Sequence, residues 1–120
     1  MTTILAVDDS ASMRQMVAFT LKCAGFTVVE AADGIEALGK AKETVMDLVI
    51  SDINMPNMDG FSLIKELRNL PAYRFIPMLM LTTESAKDKK LQGREAGATG
   101  WIVKPFNPDQ LLATVNKVLG

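Results

Sequence analysis

The sequence contains no histidine, and this absence excludes several classes of function. Without imidazole there is no His-based zinc site, no histidine acid–base catalyst and no Ser–His or Cys–His pair. A bound metal would need oxygen ligands, which favours a hard ion such as Mg²⁺. Cys23 is the only cysteine, so no internal disulfide can form, and we expect a reducing compartment, the cytoplasm.

Long apolar runs and a strong charge of one sign are also missing. No run is long enough to span a bilayer, and the first three residues lack the basic start of a signal peptide. The net charge is -1 at pH 7, whereas a nucleic-acid surface usually carries a clear basic excess. With 120 residues, 48% of them hydrophobic, we expect one monomeric domain over residues 1–120, with no membrane or nucleic-acid partner.

What the chain does contain is a regular alternation of apolar strands and amphipathic helices. The predicted strands are residues 4–7, 27–31, 48–50, 77–81 and 100–103. The predicted helices are residues 11–24, 33–42, 61–70, 85–96 and 108–118. Five βα units in a row predict an α/β fold with a parallel sheet, right-handed crossovers and helices on both faces.

Two helices leave alternatives open. The first helix could begin with a capping box formed by Ser12 and Gln15, and Ser10 is an equally good N-cap. In the fourth helix Leu91 is the only large apolar residue. This helix is either a plain solvated helix or a weakly anchored element of an output surface.

Polar residues follow the apolar core of four strands. Parallel strands place their carboxyl ends at one edge of the sheet, and in open α/β sheets ligands bind at that edge. The central strand is followed by Asp52 and by a loop rich in Asn and Pro. The polar residues gathered at this edge are Asp8, Asp9, Asp52, Thr82, Thr83 and Lys104.

The charges in this set predict what the site binds. Two like charges about 4 Å apart repel by about 4 kcal/mol at an effective dielectric constant of 20. The repulsion is relieved by a raised carboxyl pKa or by cations. Lys104 supplies one cation, and Mg²⁺ bound to Asp8, Asp9 and Asp52 would supply another. Each residue alone is more often a solvated loop group, but together they match phosphoryl transfer to Asp52.

Four motifs carry a resemblance to a known family: Val7-Asp8-Asp9-Ser10, the stretch 52–60, Leu81-Thr82 and Lys104-Pro105-Phe106. Over its whole length the chain resembles the receiver domain of two-component response regulators, and within them the CheY-like single-domain chemotaxis receivers. The resemblance implies a flavodoxin-like fold with five parallel strands in the order 2-1-3-4-5.

The resemblance also implies a role for each residue at the phosphorylation site. Asp52 takes a phosphoryl group from a histidine of a CheA-like kinase and becomes an aspartylphosphate. Mg²⁺ is held by Asp8, Asp9, Asp52 and the backbone carbonyl of Asn54. Lys104 binds the phosphoryl oxygens.

A second set of implied roles concerns the switch. The hydroxyl of Thr82 moves to the phosphoryl group, and the aromatic residue at position 101 then turns inward. The Lys104–Pro105 peptide bond is expected to be cis. The family usually has Tyr or Phe where this chain has Trp101, which could instead be a plain core aromatic.

Three further positions bear on the site. Ile53 follows the acceptor where the nearest relatives carry an aromatic residue. Asn54 and Glu84 occupy positions at which the family tunes the lifetime of the phosphoryl group.

The expected output is protein–protein contact, since the chain ends at Gly120 without an output domain. The expected partners are the kinase, a flagellar motor switch protein or another output protein, and a phosphatase. The chain would catalyse only its own phosphorylation and dephosphorylation. An alternative within the family is a phosphorelay shuttle or phosphate sink.

Two alternatives lie outside the family. An aspartate-nucleophile phosphohydrolase would need a second aspartate where the chain has Asn54. A flavodoxin-like carrier would need a glycine-rich loop after the first strand, and residues 8–12 contain no glycine and two negative charges.

Overall fold

The computed structural model describes residues 2–83 and 87–119, and they form alternating strands and helices. The strands are β1 (Thr3–Val7), β2 (Thr27–Ala31), β3 (Leu48–Asp52), β4 (Met78–Thr82) and β5 (Gly100–Val103). The helices are α1 (Ala11–Cys23), α2 (Gly34–Glu43), α3 (Gly60–Arg68), α4 (Lys87–Ala96) and α5 (Pro108–Leu119). Among the described residues, no helix combines the length and the apolarity needed to cross a membrane.

The five strands form one sheet in the order β2-β1-β3-β4-β5, and every neighbouring pair is parallel. The predicted fold class and strand order are therefore confirmed. β3 lies at the centre of the sheet, so its carboxyl end has the ends of β1 and β4 on either side. This arrangement places Asp52, the last residue of β3, in the middle of the carboxyl edge.

Alternate residues of each strand face opposite layers of helices. In β1, Ile4 and Ala6 belong to the apolar cluster that includes α1 and α5, whereas Leu5 and Val7 belong to the cluster that includes α2, α3 and α4. Both faces of the central strands are thus covered, which explains their continuous apolar runs. The covered sheet holds the strand ends in fixed positions, as a precise site requires.

The structure decides or corrects several local predictions. Ser10 is the N-cap of α1 and its side chain accepts from Met13 N at 3.4 Å, so the Ser12 alternative is not the one adopted. The third helix ends at Arg68 instead of residue 70, and a short 3₁₀ helix follows at Pro71–Tyr73. The reason is Pro71, because a residue before proline disfavours the helical conformation, and Leu70 is extended.

α4 is weakly anchored, as its composition indicated. Its one large apolar residue, Leu91, is 57% exposed, and among its described side chains the buried positions are Gly93 and Ala96. The predicted start of this helix at Ser85 lies outside the described residues, as does Glu84.

Candidate functional site

The three acidic residues come together because β1 and β3 are adjacent. Val7 is paired with Ser51 in the parallel register, so the next residues of the two strands, Asp8 and Asp52, lie side by side. One carboxylate oxygen from each of Asp8, Asp9 and Asp52 lies within 4.8 Å of the others. Asp8 is buried at 2% exposure, Asp52 is half-buried and Asp9 is exposed. The cluster is therefore open to solvent on one side.

Lys104 reaches the same cluster from β5, across the end of β4. Its Nζ lies 3.3 Å from Asp8 Oδ2 and 3.3 Å from Asp52 Oδ1. Its backbone N–H donates to the carbonyl of Thr82 at 2.7 Å, which fixes the point from which the side chain extends. One ammonium group thus bridges two of the three carboxylates, and the charge of the cluster is only partly balanced.

The surroundings of Asp52 raise the pKa of its carboxyl group above the ordinary value. Burial is the largest cause, and the negative charge of Asp8 adds to it. Lys104 and the backbone N–H of Ile53, which donates to Asp52 Oδ1 at 2.9 Å, act in the opposite direction. The ionised carboxylate is therefore stabilised less than it would be in water, and added positive charge would favour it.

The donor set fits a hard divalent cation. The ligand atoms that Asp8, Asp9 and Asp52 offer are carboxylate oxygens, which Mg²⁺ prefers. Ligand distances of about 2.1 Å place two ligands at most about 4.2 Å apart, so oxygens within 4.8 Å need only small movements. Asp8, Asp9 and Asp52 could therefore hold Mg²⁺, with the carbonyl of Asn54 in the loop that follows as a further candidate ligand.

The remaining predicted residues lie along β4 and β5. Thr82 is buried at the end of β4, where Leu81 is paired with Asp52. Trp101 is half-buried in β5, opposite Met80, and packs against the core on the side of α2, α3 and α4. The Lys104–Pro105 bond is cis, as expected from the resemblance. Trp101 thus lies on the α2, α3 and α4 side of the sheet and not within the carboxylate cluster.

Arg14 contacts the site and was missed by reasoning from the sequence. Its Nη1 donates to the backbone carbonyl of Asp8 at 2.7 Å, and its Nε lies 3.4 Å from Glu30 Oε1 on β2. Ser10 N also donates to Asp8 Oδ1 at 2.9 Å. These contacts fix the turn that carries Asp8. An arginine in the first turns of a helix has no motif of its own, and only the fold brings Glu30 beside it.

Comparison with known proteins identifies the family. The model of the response regulator receiver domain matches residues 4–116. The chain belongs to this family. Receiver domains take phosphoryl groups from histidine kinases and generally bind Mg²⁺ through an acidic pocket.

Two curated relatives are longer than this receiver domain and match it over part of their own length. It is 40% identical over 116 residues to the ycf27 protein of Porphyridium aerugineum, covering 97% of this chain and 47% of that protein. It is 38% identical to the phosphate regulon transcriptional regulatory protein PhoB of Escherichia coli, covering 97% of this chain and 51% of that protein. The receiver domain thus spans about half the length of these curated relatives.

A solved structure matches over the full length. The chemotaxis response regulator CheY4 of Vibrio cholerae is 55% identical, with a TM-score of 0.96 and coverage of 98% of both chains. The fold and strand order of the receiver domain agree with this structure.

Proposed function

We propose that this receiver domain accepts a phosphoryl group on Asp52 from a phosphohistidine of a partner kinase. The observation that carries the proposal is the position of the Lys104 ammonium, 3.3 Å from both Asp52 and Asp8 at the edge of the central strand. A carboxylate beside a fixed cation, open to solvent, can attack an incoming phosphorus atom. Lys104 can then bind an oxygen of the transferred group.

In the proposed reaction one bond forms and one breaks. An oxygen of the Asp52 carboxylate attacks phosphorus, the phosphorus–nitrogen bond of the donor breaks, and the imidazole leaves with its electron pair. Lys104 balances charge on the phosphoryl group throughout. Mg²⁺, held by Asp8, Asp9, Asp52 and the carbonyl of Asn54, would supply the further positive charge that the carboxylate cluster lacks.

Mass spectrometry tests this proposal directly. The wild type, incubated with acetyl phosphate and Mg²⁺, should gain the mass of one phosphoryl group. Asp52→Asn should gain none. Asp59→Asn is the matched control: Asp59 lies in the same loop and caps α3 by accepting from Ser62 N at 2.8 Å, and Asn caps as well as Asp. Phosphorylation of the Asp52→Asn variant would overturn the proposal.

We propose that Thr82 and Trp101 transmit the phosphorylated state. Trp101 borders a cavity of about 390 Å³ between β5 and α5, and the Arg94 guanidinium lies 5.9 Å from the centre of its ring. A change in the position of the Trp101 ring would alter both the cavity between β5 and α5 and the contact with Arg94 on α4. Trp101 is the only tryptophan, so its fluorescence should shift on addition of Mg²⁺ and beryllofluoride. An unchanged spectrum at saturation would argue against the switch.

The pathway proposed for the domain is chemotaxis, with a CheA-like kinase and a flagellar motor switch protein as partners. The full-length similarity to a chemotaxis regulator supports this choice. The half-length similarity to transcriptional regulators instead supports a receiver within another pathway, a phosphorelay shuttle or a phosphate sink. Expression in a bacterium that lacks its chemotaxis receiver should restore swimming bias if the first choice is correct, and Asp52→Asn should not.

The proposed chemistry is confined to the domain itself. The domain catalyses the transfer of a phosphoryl group to Asp52 and its later removal, with or without a partner phosphatase, and it turns over no separate substrate. We propose a monomer in the cytoplasm, where the kinase would deliver its phosphoryl group and the exposed thiol of Cys23 would stay reduced.

A further inference from the structure

The loop that follows Asp52 is fixed at its base. Gly60 N donates to the carbonyl of Ile53 at 2.8 Å, which closes the loop formed by residues 54–59. A Cβ atom on Gly60 would overlap the carbonyl oxygen of Asp52, so the two backbone segments are in direct contact. The base of the loop is therefore packed directly against the backbone of Asp52.

The tip of the same loop is held by a different part of the chain. Asn57 has a positive φ of 70°, and its Nδ2 donates to Asp33 Oδ2 at 3.0 Å. Asp33 Oδ1 accepts from Glu36 N at 2.8 Å, so the same carboxylate also caps α2. We refer to Asp33 and Asn57 as the inter-loop pair.

A second contact lies beside the inter-loop pair and is independent of it. A Cβ atom on Gly34 would lie 2.7 Å from both the Cβ and the carbonyl oxygen of Met58. The start of α2 and the loop are therefore packed backbone to backbone at this point. Asn57 makes its bond to Asp33 from a backbone with a positive φ, which is uncommon for residues other than glycine.

We propose that the inter-loop pair positions the loop for binding of the divalent cation, so that Asp33 and Asn57 are positioning residues of the phosphorylation site. The inference rests on the proposed function. The loop begins at Asn54, whose backbone carbonyl is a candidate ligand, and a backbone carbonyl has no side-chain torsions with which to adjust. Its position depends on the loop being held at both the base and the tip.

The size of the effect follows from what the groups that position metal ligands contribute to metal affinity. Loss of such a partner typically lowers metal affinity 10- to 100-fold. Because Asn54 would be one ligand among several, we expect a rise in the Kd for Mg²⁺ of about tenfold when the inter-loop pair is broken.

The test uses variants that break the pair and leave the helix cap and the backbone intact. Asp33→Ser keeps a good N-cap for α2 but is too short to reach Asn57. Asn57→Gly keeps the positive φ and removes the amide. Isothermal titration with MgCl₂ should give a Kd about tenfold higher for each. The two changes together should cost no more than either alone, because they remove the same bond.

An exchanged pair separates positioning from a general loss of structure. Asn57→Asp alone places two carboxylates opposite each other and should weaken Mg²⁺ binding. Combined with Asp33→Asn it restores an amide–carboxylate bond in the reverse direction, with Asn as the helix cap, and should restore the wild-type Kd. Asp59→Ser is the control: it changes the cap of α3 at the end of the same loop and should leave the Kd unchanged.

The outcomes distinguish this inference from the proposed function. A wild type that binds no Mg²⁺ overturns the proposed cation site, and the positioning role with it. A wild type that binds Mg²⁺, with Kd values within twofold for both single variants, overturns the positioning role alone. Additive effects of Asp33→Ser and Asn57→Gly would also overturn it, because the residues would then act separately.

Discussion

At the scale of single residues, the candidate site places its acceptor in a position that costs stability. Asp52 sits half-buried beside Asp8, and burial together with that charge raises the pKa of its carboxyl group. In the proposed function this site receives a cation and a phosphoryl group, and it would then have to keep its negative charges close together even when neither is present. The domain therefore gives up some folding free energy to keep the carboxylates in place.

Asp52→Asn should consequently make the metal-free domain more stable at neutral pH. A carboxyl group whose pKa is raised by folding favours the folded state below its ordinary pKa of 3.8, and this contribution is lost as the pH rises through the raised value. Removing the charge avoids that loss. Urea unfolding in EDTA at pH 7 should show a gain of about 0.5–2 kcal/mol, the usual range for relief of an unfavourable charge.

The pH dependence checks the cause of this gain. The difference between Asp52→Asn and the wild type should shrink as the pH falls toward 3.8, because the folded-state carboxyl takes up its proton on the way, and below 3.8 the unfolded-state carboxyl becomes neutral as well. Glu66→Gln, at an exposed position of α3, serves as the control and should change stability little. A gain that is the same at pH 7 and pH 4 would contradict an electrostatic origin.

Tyr73 shows a residue whose bonds serve the fold. Its buried hydroxyl accepts from Met46 N at 3.0 Å and lies within donating distance of the carbonyls of Ala41, at 2.7 Å, and Thr44, at 3.0 Å. Tyr73→Phe should lower the free energy of unfolding by about 1–3 kcal/mol, because it leaves the buried amide of Met46 without its partner. Phosphorylation by acetyl phosphate should be unchanged. A variant as stable as the wild type would show that water replaces the hydroxyl.

At the scale of elements, α3 and α4 lie on the same face of the sheet but are anchored differently. α3 buries Phe61, Leu63, Ile64 and Leu67, whereas the described buried positions of α4 are Gly93 and Ala96. Local opening is easiest where few apolar contacts hold an element. We expect the backbone amides of α4 to exchange with deuterium at least about tenfold faster than those of α3. Burial of one large apolar side chain contributes about 1.5–3 kcal/mol, and about 1.4 kcal/mol corresponds to a factor of ten.

Hydrogen exchange followed by mass spectrometry or NMR measures this difference. Addition of Mg²⁺ and beryllofluoride should slow exchange in α4 more than in α3, if α4 belongs to the output surface. Equal protection of the two helices in the free domain would show that contacts other than large buried side chains hold α4.

Much of the order and boundaries of these elements could be predicted from local patterns. The apolar runs of the strands follow from side-chain burial. The first helix ends shortly before Gly25, whose positive φ suits the end of a helix and which is a residue type that can be read from the sequence. The 3₁₀ helix at Pro71–Tyr73 was missed because the apolar spacing continued to Leu70 past the true end of α3. The N-cap of α1 could not be predicted either. Ser10 and Ser12 are both residues that can cap a helix, and the structure has Ser10 in that position.

At the scale of the whole molecule, the sheet explains which site residues could be predicted. Asp52 ends a strand, and Asp8 and Lys104 each directly follow one, so the parallel topology alone brings them to one edge. Asp33 and Asn57 end no strand, and their bond joins two loops 24 residues apart. Their meeting depends on how α2 packs beside α3, and no local pattern in the sequence contains that information.

The same topology predicts how the whole domain responds to Mg²⁺. The cluster of Asp8, Asp9 and Asp52 exists only in the folded chain, so a cation bound there stabilises folding. At a Mg²⁺ concentration 100 times the Kd, the free energy of unfolding should rise by about 2.7 kcal/mol. Urea unfolding in MgCl₂ and in EDTA measures the difference, and Asp8→Asn should abolish most of it.

Salt must be separated from binding in this experiment. Screening by any electrolyte also reduces repulsion among the exposed part of the carboxylate cluster, and the screening length is about 10 Å at 0.1 M ionic strength. NaCl at matched ionic strength is therefore the control, and it should give a much smaller gain because it lacks a divalent ion of the right size. Equal stabilisation by NaCl and MgCl₂ would mean that the carboxylates are screened and not bound, and the acidic edge would then have no cation site for Asn54 to complete.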